Sequence, residues 1–299
     1  MAALPSLLVL LLLGALPAMA HSGGHPLPAT PWLAWSWDPW VVVPLALSGA
    51  LYALGVGRLW ARASVGAGLR RWRAGMFALG WLAAAIALVT AVDVLGEELF
   101  WVHMIQHEIL ILVAAPLLVL GLPQTAFVWA VPPRWRQGLG GLFRRGAWRA
   151  LWRAASNPLG AWLIHAALLW GWHAPALFEA SLRSDGMHTL QHLSFFASAL
   201  LFWAVVLRGG AGGWGKGVAA LSVFTTAMHS SALGALLTFS ASPWYPTYRE
   251  TAPRWGLTAL EDQQLGGLIM WVPGGVVFLV AGLALVGQWL QDAERRARA

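Results

Sequence analysis

The chain has 299 residues, of which 59% are hydrophobic and only 10% charged, with 21 Trp and no Cys. That balance excludes a soluble globular domain and points to a polytopic membrane protein, while the lack of cysteine excludes disulfides, thiolate zinc sites and thiol redox chemistry. The net charge of +7 does not indicate nucleic acid as a partner, because the basic residues are grouped in short segments between apolar runs, where they orient the chain in a lipid bilayer.

Residues 1–20, MAALPSLLVLLLLGALPAMA, have a Leu-rich core that ends in Ala18-Met19-Ala20, which reads as a signal peptide with a small-x-small cleavage site. An uncleaved signal anchor is the alternative, although the core is short for a full span. Cleavage would leave 21–299 as one membrane domain and expose His21 as its first residue. The amine and imidazole of His21 can chelate one copper ion together, with His25 close by in HSGGH.

A span needs roughly 20 apolar residues. The segments 40–60, 74–95, 100–121, 158–178, 187–207, 217–240 and 264–289 meet that test. The fold class expected is therefore all-α, a polytopic seven-transmembrane-helix bundle. Arg58, Arg62, Arg70, Arg71 and Arg73 follow the first span, and Arg134, Arg136, Arg144, Arg145, Arg149 and Arg153 follow the third. Arg208 and Lys216 lie in the fifth connection, and Arg295, Arg296 and Arg298 in the tail. Every alternate connection is thus basic, which predicts an outside N terminus and an inside C terminus. The connection 241–262 carries ASPWYPTY, whose aromatic and Pro residues suit an ordered cap at the interface.

Within this frame the histidines are unevenly distributed. HMIQH (103–107) opens the third span and HTLQH (188–192) opens the fifth, the same H-x-x-Q-H pattern twice. His173 closes the fourth span, His229 lies near the middle of the sixth and His165 sits deeper in the fourth. Polar groups in lipid are costly and mark functional paths. An i, i+4 spacing puts both rings of a pair on one helix face, so one helix can offer two metal ligands. Imidazole suits copper, zinc, iron and nickel. Met104, Met187 and Met228 adjoin these histidines, and a thioether tips the choice toward Cu(I). Glu108 is a carboxylate inside a span that could orient an imidazole or carry metal or protons, and Gln106 and Gln191 could orient rings as hydrogen-bond acceptors. The candidate metal site is His103, His107, His188, His192, His229 and His173, with Met104, Glu108, Asp262, His21 and His25 as further candidates.

HMIQHEILILVAAPLLVLGLP, WGWHAPALFEASL, HTLQHLSFFASALLFW, MHSSALGALLTFSASPWYPTY and EDQQLGGLIMWVPGG together resemble the multispanning CtaG-type cytochrome c oxidase assembly factors of bacteria. The likeness runs in consistent order from about residue 100 to 290. It implies a seven-helix protein of the bacterial cytoplasmic membrane, needed for active haem-copper oxidase and concerned with supplying copper to the buried copper centre of the oxidase catalytic subunit. The oxidase catalytic subunit and periplasmic copper chaperones are the partners it implies. His103, His107, His173, His188, His192, His229 and the stretch Asp262-Gln263-Gln264 are the positions that match family motifs, and the metal site would lie toward the outer, periplasmic side.

Two other classes remain at this stage. A haem-binding electron-transfer protein would use histidines from separate helices as axial ligands, and a metal or proton transporter would use the histidines and Glu108 as a path. An enzyme is not expected, since no nucleophile-base constellation or phosphate-binding loop is present.

Overall fold

The computed structural model describes residues 30–134, 146–208 and 215–298. The signal-peptide reading of 1–20 and the candidate ligands His21 and His25 lie outside the described residues. Those residues form helices and connecting turns, with no strand among them.

The first span is α1, Pro39–Arg62. The Asp38 carboxylate accepts from Trp40 N–H at 2.9 Å and Pro39 occupies the first turn, so two orphan positions of the helix start are resolved by the local sequence. Arg71–Val89 forms α2. It stops at Thr90, whose extended backbone and side-chain oxygen start the short α3, Ala91–Gly96. The segment expected as one span over 74–95 is therefore a membrane helix with a short second helix folded at its end.

The next span, α4, runs from Phe100 to Leu120, with a π-helical stretch at Ile109–Ala114 in its middle. Pro116 follows that stretch. It has no N–H to donate and its ring would meet the carbonyl four residues back, so a widened turn before it relieves the clash. A carbonyl in the stretch finds an outside partner: Trp203 Nε1 donates to Ile111 O at 2.8 Å. Then come α5, Pro123–Ala130, and α6, Gly146–Ala155.

The segment expected as a span over 158–178 is divided into α7, Pro158–His173, and α8, Pro175–Arg183. Ala174 before Pro175 is extended (φ −63°, ψ 129°), the conformation that a following proline favours and that ends a helix. At 1.5 Å per residue the 16 residues of α7 reach only about 24 Å, short of a ~30 Å hydrocarbon core. The remaining elements are α9 (Asp185–Arg208), α10 (Gly215–Thr238), the single turn α11 (Tyr248–Thr251) and α12 (Ala259–Arg298). Six helices, α1, α2, α4, α9, α10 and α12, are long and apolar enough to cross a membrane, which makes this a multi-pass membrane protein.

Small residues set how closely the helices approach. A Cβ on Gly267 of α12 would stand 2.7 Å from Gly234 O of α10, and one on Gly234 would stand 2.8 Å from Gly267 O, so the two backbones meet with nothing between them. Packing of this kind replaces the hydrophobic drive that lipid removes. Gly55 of α1 abuts the Ala126 carbonyl of α5 in the same way. Outward faces are apolar, as at Leu79 and Leu82 of α2 and Val280 and Leu283 of α12, which is what lipid contact requires.

The connection after α10 is ordered, as expected. Tyr245 and Tyr248 are both 1% exposed. Tyr245 O–H donates to His173 O at 2.9 Å and Tyr248 O–H to Gly96 O at 3.1 Å. Thr247 is held by the Glu179 carboxylate, its N–H at 3.1 Å and its hydroxyl at 2.7 Å. The segment thereby ties α3, α7 and α8 together over one end of the bundle.

Candidate metal centre

Five histidines meet under that cap. His103 and His107 come from the first two turns of α4, His188 and His192 from the start of α9, and His173 from the last residue of α7. Ring centroids are 4.4 Å apart for His103–His107 and 4.2 Å for His188–His192, as i, i+4 neighbours on one face should be. Across the helices, His103 lies 5.5 Å from His188 and 5.4 Å from His192, and His107 lies 5.1 Å from His192 and 6.3 Å from His173. Phe178 and Phe195 close the flanks.

Among the described residues, one group of histidine and carboxylate donors is compact enough to share an ion: His103, His188 and His192, each with a ring nitrogen within 4.8 Å of the others. Two bonds of about 2.1 Å reach across some 4.2 Å at most, so small ring rotations close the set on a common ion. His188 is the most exposed of the three and stands at the entrance.

The nitrogens are available. Both ring nitrogens of His103 and of His107, and Nε2 of His173, His188 and His192, are buried without a hydrogen-bond partner. Leaving a buried polar group unpaired costs about 1–3 kcal/mol each, a cost that a bound cation would remove. His173 Nδ1 faces Leu169 O at 2.7 Å. A carbonyl only accepts, so the proton sits on Nδ1 and Nε2 presents its lone pair to the cluster.

One acidic neighbour has no place in the sequence-based ligand set. Asp93 of α3 accepts from Gln106 Nε2 at 2.7 Å, and its charge acts on His188. Gln106 also donates to Ala87 O at 2.9 Å, so it holds α3 to α4 rather than accepting from an imidazole. Loss of solvent is the main influence on Asp93 and raises its pKa above the ordinary carboxylate value, against the opposing effects of His188, Gln106 and Ser36. Glu97 is exposed as a whole residue but its carboxyl is enclosed close to Asp93, Asp185 and Glu98; desolvation first, and those negative neighbours second, push it up to about 7. Asp93 and Asp185 both act on His188, so carboxyl groups border that ring. In the sequence Asp93 lies near the end of the expected span 74–95, a place that by itself does not mark it as a neighbour of the histidines.

Other candidates fall elsewhere. His229 of α10 packs against Trp162 of α7, centroids 5.6 Å apart, and makes no ring contact with the five clustered histidines. The structure does not bring it to the centre. His165 itself pairs through Nδ1 with Ser198 Oγ at 3.0 Å and stacks on Phe202. Met104 turns the opposite way from His103 and packs on Gly266 of α12, while Met228 is 59% exposed on the lipid face; neither thioether joins the cluster. Glu108 faces Gly274 of α12, where an added Cβ would lie 2.7 Å from Oε2. Asp262 accepts from the N–H groups of Phe100 at 2.9 Å and Trp101 at 3.0 Å, so it caps the helix that carries His103 and His107.

A family model described as cytochrome c oxidase caa3 assembly factor (Caa3_CtaG) matches residues 50–292. The chain belongs to this family. All five clustered histidines, the cap and Asp262 lie inside the matched region, and the caa3 assembly factor family is one whose work is the assembly of cytochrome c oxidase. Among curated proteins, an uncharacterised protein of Mycobacterium bovis and one of Mycobacterium tuberculosis are each 26% identical over 299 aligned residues, and one of Mycobacterium leprae is 24% identical over 294. Each alignment covers 92% of this chain and 43% of the relative, so the chain spans less than half the length of the relatives it matches. No solved structure matches this chain.

Proposed function

We propose that this caa3 assembly factor binds Cu(I) at His103, His188 and His192, with His107 and His173 as adjoining donors, and passes it to the copper centre of the oxidase catalytic subunit. The observation that carries the reading is the convergence of five imidazoles from three helices, each with at least one ring nitrogen buried and unpaired. The copper is cargo here, and the reading assigns the chain no catalytic step.

Transfer by ligand exchange needs more donors than one ion uses at once. A three-nitrogen set at the mouth, with His107 4.4 Å from His103 and His173 a further 6.3 Å from His107, ring centre to ring centre, lets an ion change partners one bond at a time without meeting water. The Asp93 and Asp185 carboxyl groups beside His188 favour the approach of a cation to that ring. Periplasmic copper chaperones are the donors this geometry suits, with the histidine end of the bundle on the periplasmic side of the bacterial cytoplasmic membrane, as the arginine distribution predicts.

Bare metal is favoured over haem by the packing. The imidazole rings stand edge-on or tilted to one another at 4.2–5.5 Å and two Phe side chains fill the flanks, which leaves no slot for a macrocycle. With Met104 packed on Gly266 and Met228 exposed, neither lends the cluster a soft donor, and selection of Cu(I) over zinc rests more on supply than on ligand softness. The test is a Cu(I) competition titration against a chromophoric chelator on purified protein, with Zn(II) in parallel and His103→Ala/His188→Ala as the comparison. Tight Cu(I) binding that the double variant loses supports the reading, as does a fall in oxidase copper occupancy in cells carrying that variant. Failure of the intact protein to bind Cu(I) sinks it.

A further inference from the structure

At the end of the bundle opposite the histidines, two guanidinium groups are drawn to one turn. Arg73, near the start of α2, donates through Nη1 to Leu120 O at 3.1 Å, and Arg208, the last residue of α9, donates through Nη2 to Gln124 Oε1. The acceptors stand at the two ends of a five-residue stretch, 120–124, that joins α4 to α5. The two cations are within electrostatic reach of each other, and among the described residues neither forms an ion pair.

The turn between them is unusual in its own right. Leu122 has φ 50° and ψ 54°, the only positive φ at a non-glycine among the described residues, and such a conformation is held only where surroundings enforce it. Leu122 leads into α5 with no side-chain cap, so the positive end of that helix is left without the usual acceptor. Two cations and an uncapped helix start thus point at one place, with no ion-pair partner for either cation among the described residues.

We propose that this place binds the phosphate of an anionic phospholipid. Depth argues for lipid as the source: the start of α2, the end of α4 and the end of α9 share one membrane face, the level at which phospholipid phosphates lie. Arg73, Arg208 and Gln124 are each partly exposed, and a guanidinium has five N–H donors of which these contacts use few, so both forks retain capacity for phosphate oxygens. Trp72 beside them is 47% exposed, with the Arg73 guanidinium 4.7 Å from its ring centre, and Trp at this level anchors to the headgroup layer. A phosphate would also relieve the mutual repulsion of the two cations. The bound lipid would fix the α2, α5 and α9 ends together at the face away from the metal centre.

The experiment uses the purified full-length chain, stripped of lipid in neutral detergent. Native mass spectrometry and thermal shift are read with added phosphatidylglycerol, phosphatidylcholine or inorganic phosphate. Retention and a raised Tm with phosphatidylglycerol, neither of them given by phosphatidylcholine, are expected. Each of Arg73→Gln and Arg208→Gln should weaken that retention about fivefold, the weight of one basic side chain near an anionic lipid, while Arg71→Gln, an exposed arginine at the same end, should weaken it less. If the Gln variants do not fold, Arg73→Lys/Arg208→Lys keeps the charge and loses the planar fork, and should lose part of the selectivity. Unchanged retention in that variant, equal retention of the two lipids, or stabilisation by inorganic phosphate with none by phosphatidylglycerol would each overturn the proposal.

Discussion

The carboxylate of Asp262 in α12 accepts hydrogen bonds from the backbone N–H of Phe100 and of Trp101, across 162 and 161 positions of sequence. Leu99 supplies no cap to α4, so the helix that carries His103 and His107 is capped by another span. Asp262→Ala should lower the thermal stability of the detergent-solubilised protein by about 1–2 kcal/mol, as loss of a helix cap does. If Asp262 acts only as a cap, copper stoichiometry in the folded variant stays that of the parent. A lost copper equivalent with unchanged stability would make it a ligand instead.

Partition of the histidines can be tested in the same titration. His173→Ala and His192→Ala are expected to weaken Cu(I) binding more than tenfold, given that even residues which merely orient a ligand cost about 10–100-fold. His229→Ala, which faces Trp162 away from the centre, should leave the affinity within about twofold. The reverse ranking would place the site at α7–α10.

The seam between α10 and α12 predicts opposite signs for two similar substitutions. Gly267→Ala drives a methyl group into Gly234 O and Thr238 at 2.7 Å, forcing the helices apart at a cost of about 1–3 kcal/mol. Gly287→Ala, with nothing within 4 Å of the new Cβ, should be neutral or stabilising by up to about 1 kcal/mol through helix propensity. Thermal unfolding of the two variants in one detergent checks the pair.

Glu97 gives a pH dependence. Its folded pKa of about 7 lies above the ordinary value of about 4.3, so between those limits the folded protein holds a proton that the unfolded chain has released. Stability from this group is complete below about pH 4.3 and is lost as pH rises toward 7. Glu97→Gln should therefore flatten the decline in Tm across that window and raise Tm above pH 7, with Asp93, Asp185 and Glu98 unchanged. A parallel slope in both proteins would show that the decline comes from other groups.

The sequence determined the bundle and the pairing of the rings on it. Runs of apolar residues long enough for a bilayer marked six of the seven expected spans, because in lipid a segment must satisfy its backbone within one helix, and local spacing alone put His103 beside His107 and His188 beside His192. The tertiary structure decided which polar residues share a space. Apolar length could not show that Pro175 ends α7 and brings His173 to the cluster. Nor could it show that α10 turns His229 to Trp162, or that α4 turns Met104 and Glu108 toward α12. Asp262 could be read as a ligand or a cap until the fold brought it to the end of α4, since a carboxylate serves either purpose and only its neighbours choose.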